Sequence, residues 1–368
     1  MRVVHLTSAH SRFDTRIFRK MCNSSVEAGY SVSQIVADGK GNQTSESGVS
    51  IVDVGRPRGR LDRMFGATRK VRDAALALNA DLYHLHDPEL IPIGLTLKRR
   101  GKRVVFDFHE DVPKQLLSKP YLNPVVSRLL SWIFARYEAW AVTKFDAIIG
   151  ATPTITKKFS DRVRRAENIN NFPQLGELES SLPWDGKANE IAYVGGISAI
   201  RGIVELVEAV ENTKSRARLN LVGDFGDSDS ERRAKNQIGW EQVNPVGFLD
   251  RAGVRDILAR SVAGMVTFLP LPNHVDAQPN KMFEYMSAGI PVIASDFPLW
   301  REIIVGYDCG ICVDPQDPAA IAAAIDTLLS DRARAEQLGR NGRAAVQAVF
   351  NWSREKEKLL QLYKEILA

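Results

Sequence analysis

A carboxylate stands inside an otherwise apolar stretch at Glu284, in PNKMFEYMSAGIPVIASD at residues 279–296. Met282, Phe283, Tyr285, Met286 and Ala288 are spaced for a mostly apolar helix, Gly289 stops it, and PVIAS opens a strand at once. A carboxylate half-buried on such a helix needs hydrogen-bond donors, which ribose hydroxyls would supply; the spacing equally allows an ion pair with Lys281. A second constellation is Gly195-Gly196, after a strand and before a helix, with Arg201 a few residues on. Backbone amides and a guanidinium fork at such a turn can hold phosphate oxygens, and the same turn also serves as a plain tight connection.

Three places in the first half carry polar groups where strands end. DFHEDVP, residues 107–113, presents His109 and Glu110. Asp14, Thr15 and Arg16, in TSAHSRFDTRIFRK, follow the first strand, and Asp14 reads equally as a helix N-cap with Arg16 on the surface. His84 and His86, in YHLHDPE, have a spacing that could suit a metal, but no third ligand is evident, and a structural or supporting role is favoured. Cys309 and Cys312 have CxxC spacing inside a strand-like run and read as small core residues.

These residues require a scaffold of strands. Short β-branched runs alternate with helical patterns almost throughout: RVVHLTS, SVSQIVAD, VSIVDVG, LYHLHD, RVVFDFHE and AIIGAT, then EIAYVGG, LNLVGD, VNPVGFL, AGMVTFLP, PVIASD and CGICVD. That alternation predicts α/β architecture with doubly wound parallel sheets, whose ligands bind outside the carboxyl ends of the strands. A chain of 368 residues exceeds one comfortable core, so two domains are expected. Residues 170–190, NNFPQLGELESSLPWDGKANE, are rich in Pro, Gly and polar residues and lack apolar periodicity. The expected division is a domain over 1–170, a linker over 171–190, a second domain over 191–350, and a charged amphipathic helix over 351–368 able to pack back on the first.

Composition removes several classes. Hydrophobic residues at 44% and charged residues at 25% suit a globular protein, not a disordered or repetitive one. The N-terminus lacks the ~7–15-residue apolar core of a signal peptide. The run 129–142 is interrupted by Arg136 and Glu138 and falls short of the ~20 apolar residues of a spanning helix. With three cysteines and no zinc pattern, a reducing cytoplasm fits. The net charge of +5 conceals a strongly basic first half and a mildly acidic second, which suits an anionic partner. Arg56, Arg58, Arg60, Arg63, Arg69, Lys70 and Arg72 crowd one segment, and residues 122–144 set Trp132, Tyr137 and Trp140 beside Arg128 and Arg136. Together they would suit a protein resting on an anionic membrane surface; an ordinary buried helix beside a solvated loop is the alternative. No nucleic-acid motif accompanies the charge, and no nucleic-acid partner is expected.

With these residues in view, the chain resembles glycosyltransferase family 4, the retaining group 1 enzymes of the GT-B fold, in which two Rossmann-like domains face one another across a cleft. EYMSAGIPVIAS matches the surroundings of the second of the family's paired glutamates, which falls at Glu284 and implies contact with the nucleotide ribose. The first of the pair falls at Asp276. Pro279, Asn280, Lys281 and Met282, at the helix start, resemble the branches acting in surface polysaccharide synthesis, where backbone amides there face the donor diphosphate. YVGGISAIRGIVELVEAV places Gly195, Gly196 and Arg201 at the family's phosphate turn, with Gly196 where another arginine is common. LVGDF and VGFLDRAGVRDIL, with Gly223 and Phe248, match strands whose loops contact the base. Asp14, Thr15 and Arg16 resemble the FDTRI form of the first loop, expected with Glu110 to contact acceptor or phosphate, and His109 matches a histidine that contacts the donor sugar.

The resemblance implies a glycosyltransferase with His109, Asp276 and Glu284 in catalytic positions. Its substrates would be a nucleotide-sugar donor, UDP before GDP, and a lipid-diphosphate or oligosaccharide acceptor in O-antigen, capsule or exopolysaccharide synthesis. No cofactor is expected. A departing nucleoside diphosphate needs its charge stabilised by a metal or by cations and helix N-termini. The Asp-Ser-Asp at 227–229 lies in a polar loop, so a metal-independent site is expected, with Arg201 and Lys281 holding the diphosphate. A nucleotide-sugar 2-epimerase, a glycogen-synthase-like enzyme and a non-catalytic sugar-nucleotide sensor are the alternatives on the same fold. The expected location is cytoplasmic, peripheral on the inner face of the cell membrane.

Overall fold

Strands buried on both faces read as nearly continuous apolar runs, and every run quoted above is a strand. β1 (Arg2–Leu6), β2 (Ser31–Val36), β3 (Gln43–Thr44), β4 (Ser50–Asp53), β5 (Leu82–Leu85), β6 (Arg103–Phe108), β7 (Ala147–Gly150) and β8 (Ala166–Asn168) form one sheet in the order β3-β4-β2-β1-β5-β6-β7-β8. A second sheet of β9 (Glu190–Val194), β10 (Arg218–Val222), β11 (Val243–Gly247), β12 (Ala263–Val266), β13 (Val292–Ser295) and β14 (Gly310–Val313) runs β11-β10-β9-β12-β13-β14. The structure, a computed structural model, describes residues 1–59, 61–117, 123–179 and 182–368. Arg60 of the basic segment, Leu122 at the head of the aromatic run, and Ser180 and Ser181 of the expected linker lie outside the described residues.

All neighbouring strands are parallel except β3, which pairs antiparallel with β4. This departs from a purely parallel sheet because residues 45–49 are too few for a crossover, which takes about a dozen or more, and allow only a hairpin. The chain divides into two compact units, Met1–Asn171 with Arg354–Ala368, and Phe172–Ser353. Phe172 and Leu178, from the segment read as a linker, are buried in a core of the second unit together with Met282, Phe283 and Trp300. That segment lacks periodicity because it lends single apolar side chains to a core, and among its described residues it carries only the short 3-10 helix Trp184–Gly186 before β9 begins.

The helix Trp352–Leu367 belongs from Arg354 onward to the first unit. It buries Leu359, Leu362, Tyr363 and Ile366, and Glu355 accepts a hydrogen bond from the Asn170 amide at 2.6 Å. Beneath Tyr363 the central strands carry a polar face. Register places His5 opposite His84, His5 Nδ1 lies 2.9 Å from His86 Nε2, and His84 Nδ1 lies 2.5 Å from the Tyr363 hydroxyl. The ladder continues from His86 Nδ1 to Asp107 at 3.1 Å. Burial holds His5 and His84 well below the ordinary histidine range, so both are neutral hydrogen-bonding groups at pH 7.

Candidate functional site

The second unit gathers its polar side chains where β9 and β10 end. Gly195, at φ +111°, and Gly223, at φ +129°, bring two turns into contact. A Cβ on Gly223 would come within 2.2 Å of the Gly195 carbonyl, so only glycine permits this approach. Gly196 follows, its carbonyl accepting from Tyr193 Oη at 2.9 Å and Arg201 Nη1 at 2.8 Å. Arg201, read from sequence as a phosphate clamp, thus closes its own turn with one nitrogen, and its guanidinium lies 5.6 Å from the Phe268 ring centre.

Lys281 enters this turn from the helix Asn280–Ala288. Its Nζ is buried, has no hydrogen-bond partner, and lies 3.5 Å from the centre of the Tyr193 ring. A Cβ on Gly195 would sit 3.6 Å from that nitrogen. Burial, followed by the nearby Arg201 charge, holds the ammonium well below the usual lysine range. The helix begins at Pro279 and no side chain caps it, which leaves its first amides to another acceptor. Asn280 is exposed there, whereas Met282 is fully buried in the core and its amide donates to the Pro279 carbonyl at 3.0 Å. Met282 therefore supports the helix and presents no side chain to a ligand.

Glu284 is paired, but not with Lys281. Arg251 Nη1 donates to its Oε1 at 2.8 Å, and the same guanidinium grips both oxygens of Glu177 at 2.8 Å. No sequence spacing links positions 177, 251 and 284. Phe248 follows β11 and is 77% exposed, and the Gly223 amide donates to the Gly247 carbonyl at 2.8 Å. Asp276 is partly buried in the loop between β12 and the helix Asn280–Ala288. Asp227, of the Asp-Ser-Asp run, caps the helix Ser228–Lys235 by accepting from the Ser230 amide at 2.7 Å. Cys309 and Cys312 are free, and burial pushes their thiols to about 12 and about 11.

In the first unit the structure corrects one assignment. Arg16 is buried, bridging both oxygens of Asp107 at 2.8 and 2.7 Å and the Ile169 carbonyl at 2.9 Å. It is not a surface group: two of its nitrogens hold a buried carboxylate, and Nη1 is buried without a hydrogen-bond partner. Asp14 caps the helix Thr15–Cys22, accepting from the Arg16 and Ile17 amides. Thr15 is partly buried in that first turn, and Glu110 is exposed. His109 stands at the end of β6, its Nε2 3.1 Å from His10 Nε2. His10 and Asp87 were not singled out from sequence, although both occupy the same address, just beyond a strand end. Burial opposes charge on His10, yet Asp14 and Asp87 lift its pKa to about 10.

His84 and His86 do have a third imidazole beside them, His5, which no local spacing reveals and only the pairing of β1 with β5 supplies. The helix Pro124–Ala141 exposes Val125 at 71% and Trp132 at 59%, with Leu129, Ile133 and Trp140 also exposed, so it is not an ordinary buried helix. Leu61, Met64 and Phe65 are exposed in the basic segment. Among the described residues no helix is long and apolar enough to cross a membrane.

Residues 176–345 match the family described as Glycosyl transferases group 1, and residues 15–173 match the Glycosyl transferase 4-like domain. A glycogen synthase of Mycobacterium tuberculosis is 24% identical over 249 residues, covering 65% of this chain and 58% of the relative, so the chain spans somewhat over half of that protein's length. A phosphatidyl-myo-inositol mannosyltransferase of the same species is 23% identical over 319 residues, 81% of this chain and 77% of the relative. Among solved structures, a sucrose-phosphate synthase from Thermosynechococcus elongatus superposes with a TM-score of 0.79 at 20% identity over 99% of this chain and 98% of the other. Anabaena HepE in complex with UDP and glucose gives 0.74 at 16% identity, over 99% and 100%.

Proposed function

The chain belongs to the group 1 glycosyl transferases, and on that premise we propose that it moves a hexose or N-acetylhexosamine from a UDP-sugar to a lipid-linked or oligosaccharide acceptor in surface polysaccharide synthesis. The observation that carries this reading is Lys281: a buried, unpartnered ammonium beneath the Gly195 turn and beside an uncapped helix start. A buried cation without a counter-ion is costly unless a ligand supplies one, and a diphosphate does so. UDP is favoured because HepE, of the same fold, is described with UDP.

The ribose hydroxyls would donate hydrogen bonds to Glu284, whose carboxylate keeps acceptor capacity beyond the one bond from Arg251. Phe248 and the Gly223 turn would meet the base. As the C1–O bond to the diphosphate breaks, charge grows on the leaving oxygen, where Lys281, Arg201 and the helix amides stabilise it without a metal. The acceptor oxygen bonds to C1 from the same face and its proton passes to the departing phosphate, so configuration is retained and no protein nucleophile is needed. Asp276, in the same unit, would contact the sugar. The exposed apolar and aromatic side chains of the helix Pro124–Ala141, together with the basic segment, support docking on an anionic membrane surface that holds the acceptor.

One experiment addresses donor, stereochemistry and surface together. The chain is mixed with UDP-hexoses and vesicles of phosphatidylglycerol carrying a polyprenyl phosphate-linked sugar. Retained α configuration in the product by NMR, and sedimentation of the protein with anionic but not neutral vesicles, are expected. Replacing Trp132 and Trp140 with Ser should weaken sedimentation about tenfold. A product of inverted configuration contradicts the mechanism, and equal sedimentation with both vesicle types contradicts the surface.

A further inference from the structure

Arg251 stands where an arginine is electrostatically out of place. It is the first residue of the helix Arg251–Arg260, which Asp250 caps by accepting from the Gly253 amide at 2.9 Å. A cation there faces the positive end of the helix dipole, which disfavours it. Two carboxylates from distant positions hold it in place. Nε and Nη2 donate to Oε1 and Oε2 of Glu177, each at 2.8 Å, and Nη1 donates to Oε1 of Glu284 at 2.8 Å. The side chains of Arg251, Glu177 and Glu284 are 28%, 22% and 16% exposed, so the cluster is set into the second unit and is not a solvated surface pair. Burial opposes the charge, yet the two carboxylates lift the guanidinium above the ordinary arginine range.

The two contacts differ in kind. Glu177 fills one edge of the guanidinium with two parallel bonds, the arrangement that fixes a planar fork most tightly. Glu284 receives a single bond on one oxygen, and Oε2 accepts none from the described residues. The backbone beneath each carboxylate is already fixed: Leu178 follows Glu177 into the core, and Phe283 and Tyr285 flank Glu284 there. What remains to be fixed at Glu284 is the side chain itself, and Arg251 is the group that touches it. Were Glu177 absent, the fork would be free to grip both oxygens of Glu284, taking up the acceptor that now stands open.

We propose that Arg251 and Glu177 are positioning residues for a ribose-binding carboxylate: Glu177 occupies the fork of Arg251, and Arg251 pins one oxygen of Glu284 while leaving the other to the ribose diol. The proposal rests on the donor reading, in which Glu284 meets the ribose, and adds two residues that act through it without touching the nucleotide.

The test is the ratio of affinities for UDP and for 2′,3′-dideoxy-UDP, read by calorimetry on the full chain. Base and diphosphate contacts are common to both nucleotides, so a general loosening of the site shifts both affinities and leaves their ratio alone. In the unaltered chain UDP should bind roughly 10- to 150-fold more tightly, as expected for hydrogen bonds to a charged group, and Glu284→Ala should bring the ratio close to one. Arg251→Met should lower the ratio about 2- to 12-fold, because binding must then immobilise the glutamate side chain. Glu177→Ala should lower it as well, through the freed fork. Melting curves confirm folding, and each of these two variants decides the question without the other. A ratio lost in Glu284→Ala but unchanged in a folded Arg251→Met or Glu177→Ala overturns the proposal alone. A ratio near one in the unaltered chain, or one that survives Glu284→Ala, overturns the donor reading and this proposal with it.

Discussion

Lys281→Met is expected to weaken UDP binding by roughly 2–5 kcal/mol, about 30-fold to several thousand-fold, while leaving thermal stability unchanged or raised. The opposite signs follow from one observation. Nζ is buried without a hydrogen-bond partner, against the Tyr193 ring. In the free protein it contributes a desolvated group that no hydrogen bond compensates, the Tyr193 and Phe268 rings offsetting part of the cost, and methionine of similar length fills the same space with an apolar chain that keeps the ring contact. With UDP bound, the ammonium would face the diphosphate in a low-dielectric pocket, where its loss is felt in full. Uridine, which lacks phosphate, should bind both proteins alike. Calorimetry with UDP and uridine, beside a melting curve, reads all three quantities. Equal UDP affinity in the two proteins would remove Lys281 from the donor site.

Arg16→Ala should destabilise the first unit by about 3–5 kcal/mol, because it strands the Asp107 carboxylate in the core. Arg16 bridges both carboxylate oxygens, and Asp107 in turn holds the histidine ladder through His86. Lysine offers a point charge in place of a planar fork and should recover only part of the loss. Replacing Arg16 and Asp107 together by apolar residues should cost less than Arg16→Ala alone, since no charge is then left unpaired. Urea denaturation followed by far-UV circular dichroism measures these differences. A variant Arg16→Ala with an unchanged midpoint and lost transfer activity would instead place Arg16 against the substrate.

These two residues show what a sequence reveals and what it withholds. Strands such as LYHL and VIAS are legible because a parallel strand buries both faces, leaving an apolar run closed by glycine or a polar cap. β3 and β8 are two and three residues long, too short to carry a pattern. The Gly195 turn and the helix from Asn280 were visible because each is a local element. Pairings between distant positions were not: Glu284 finds Arg251 and Glu177, Asp107 finds Arg16, and His84 finds Tyr363. Each requires the sheet order before the partner can be named. The same limit hid His5 beside His84 and His10 beside His109, although the rule that polar residues gather beyond strand ends pointed to His10 and Asp87.

Calorimetric titration of UDP and of GDP, with EDTA present, into the unaltered chain and into Glu284→Ala is the measurement closest to the central claim. Carboxylate hydrogen bonds to ribose are worth about 1.5–3 kcal/mol. The donor-site account therefore predicts micromolar UDP binding that is indifferent to EDTA and falls by roughly 10- to 150-fold in Glu284→Ala. Binding of neither nucleotide, or equal UDP affinity in the two proteins, would contradict it.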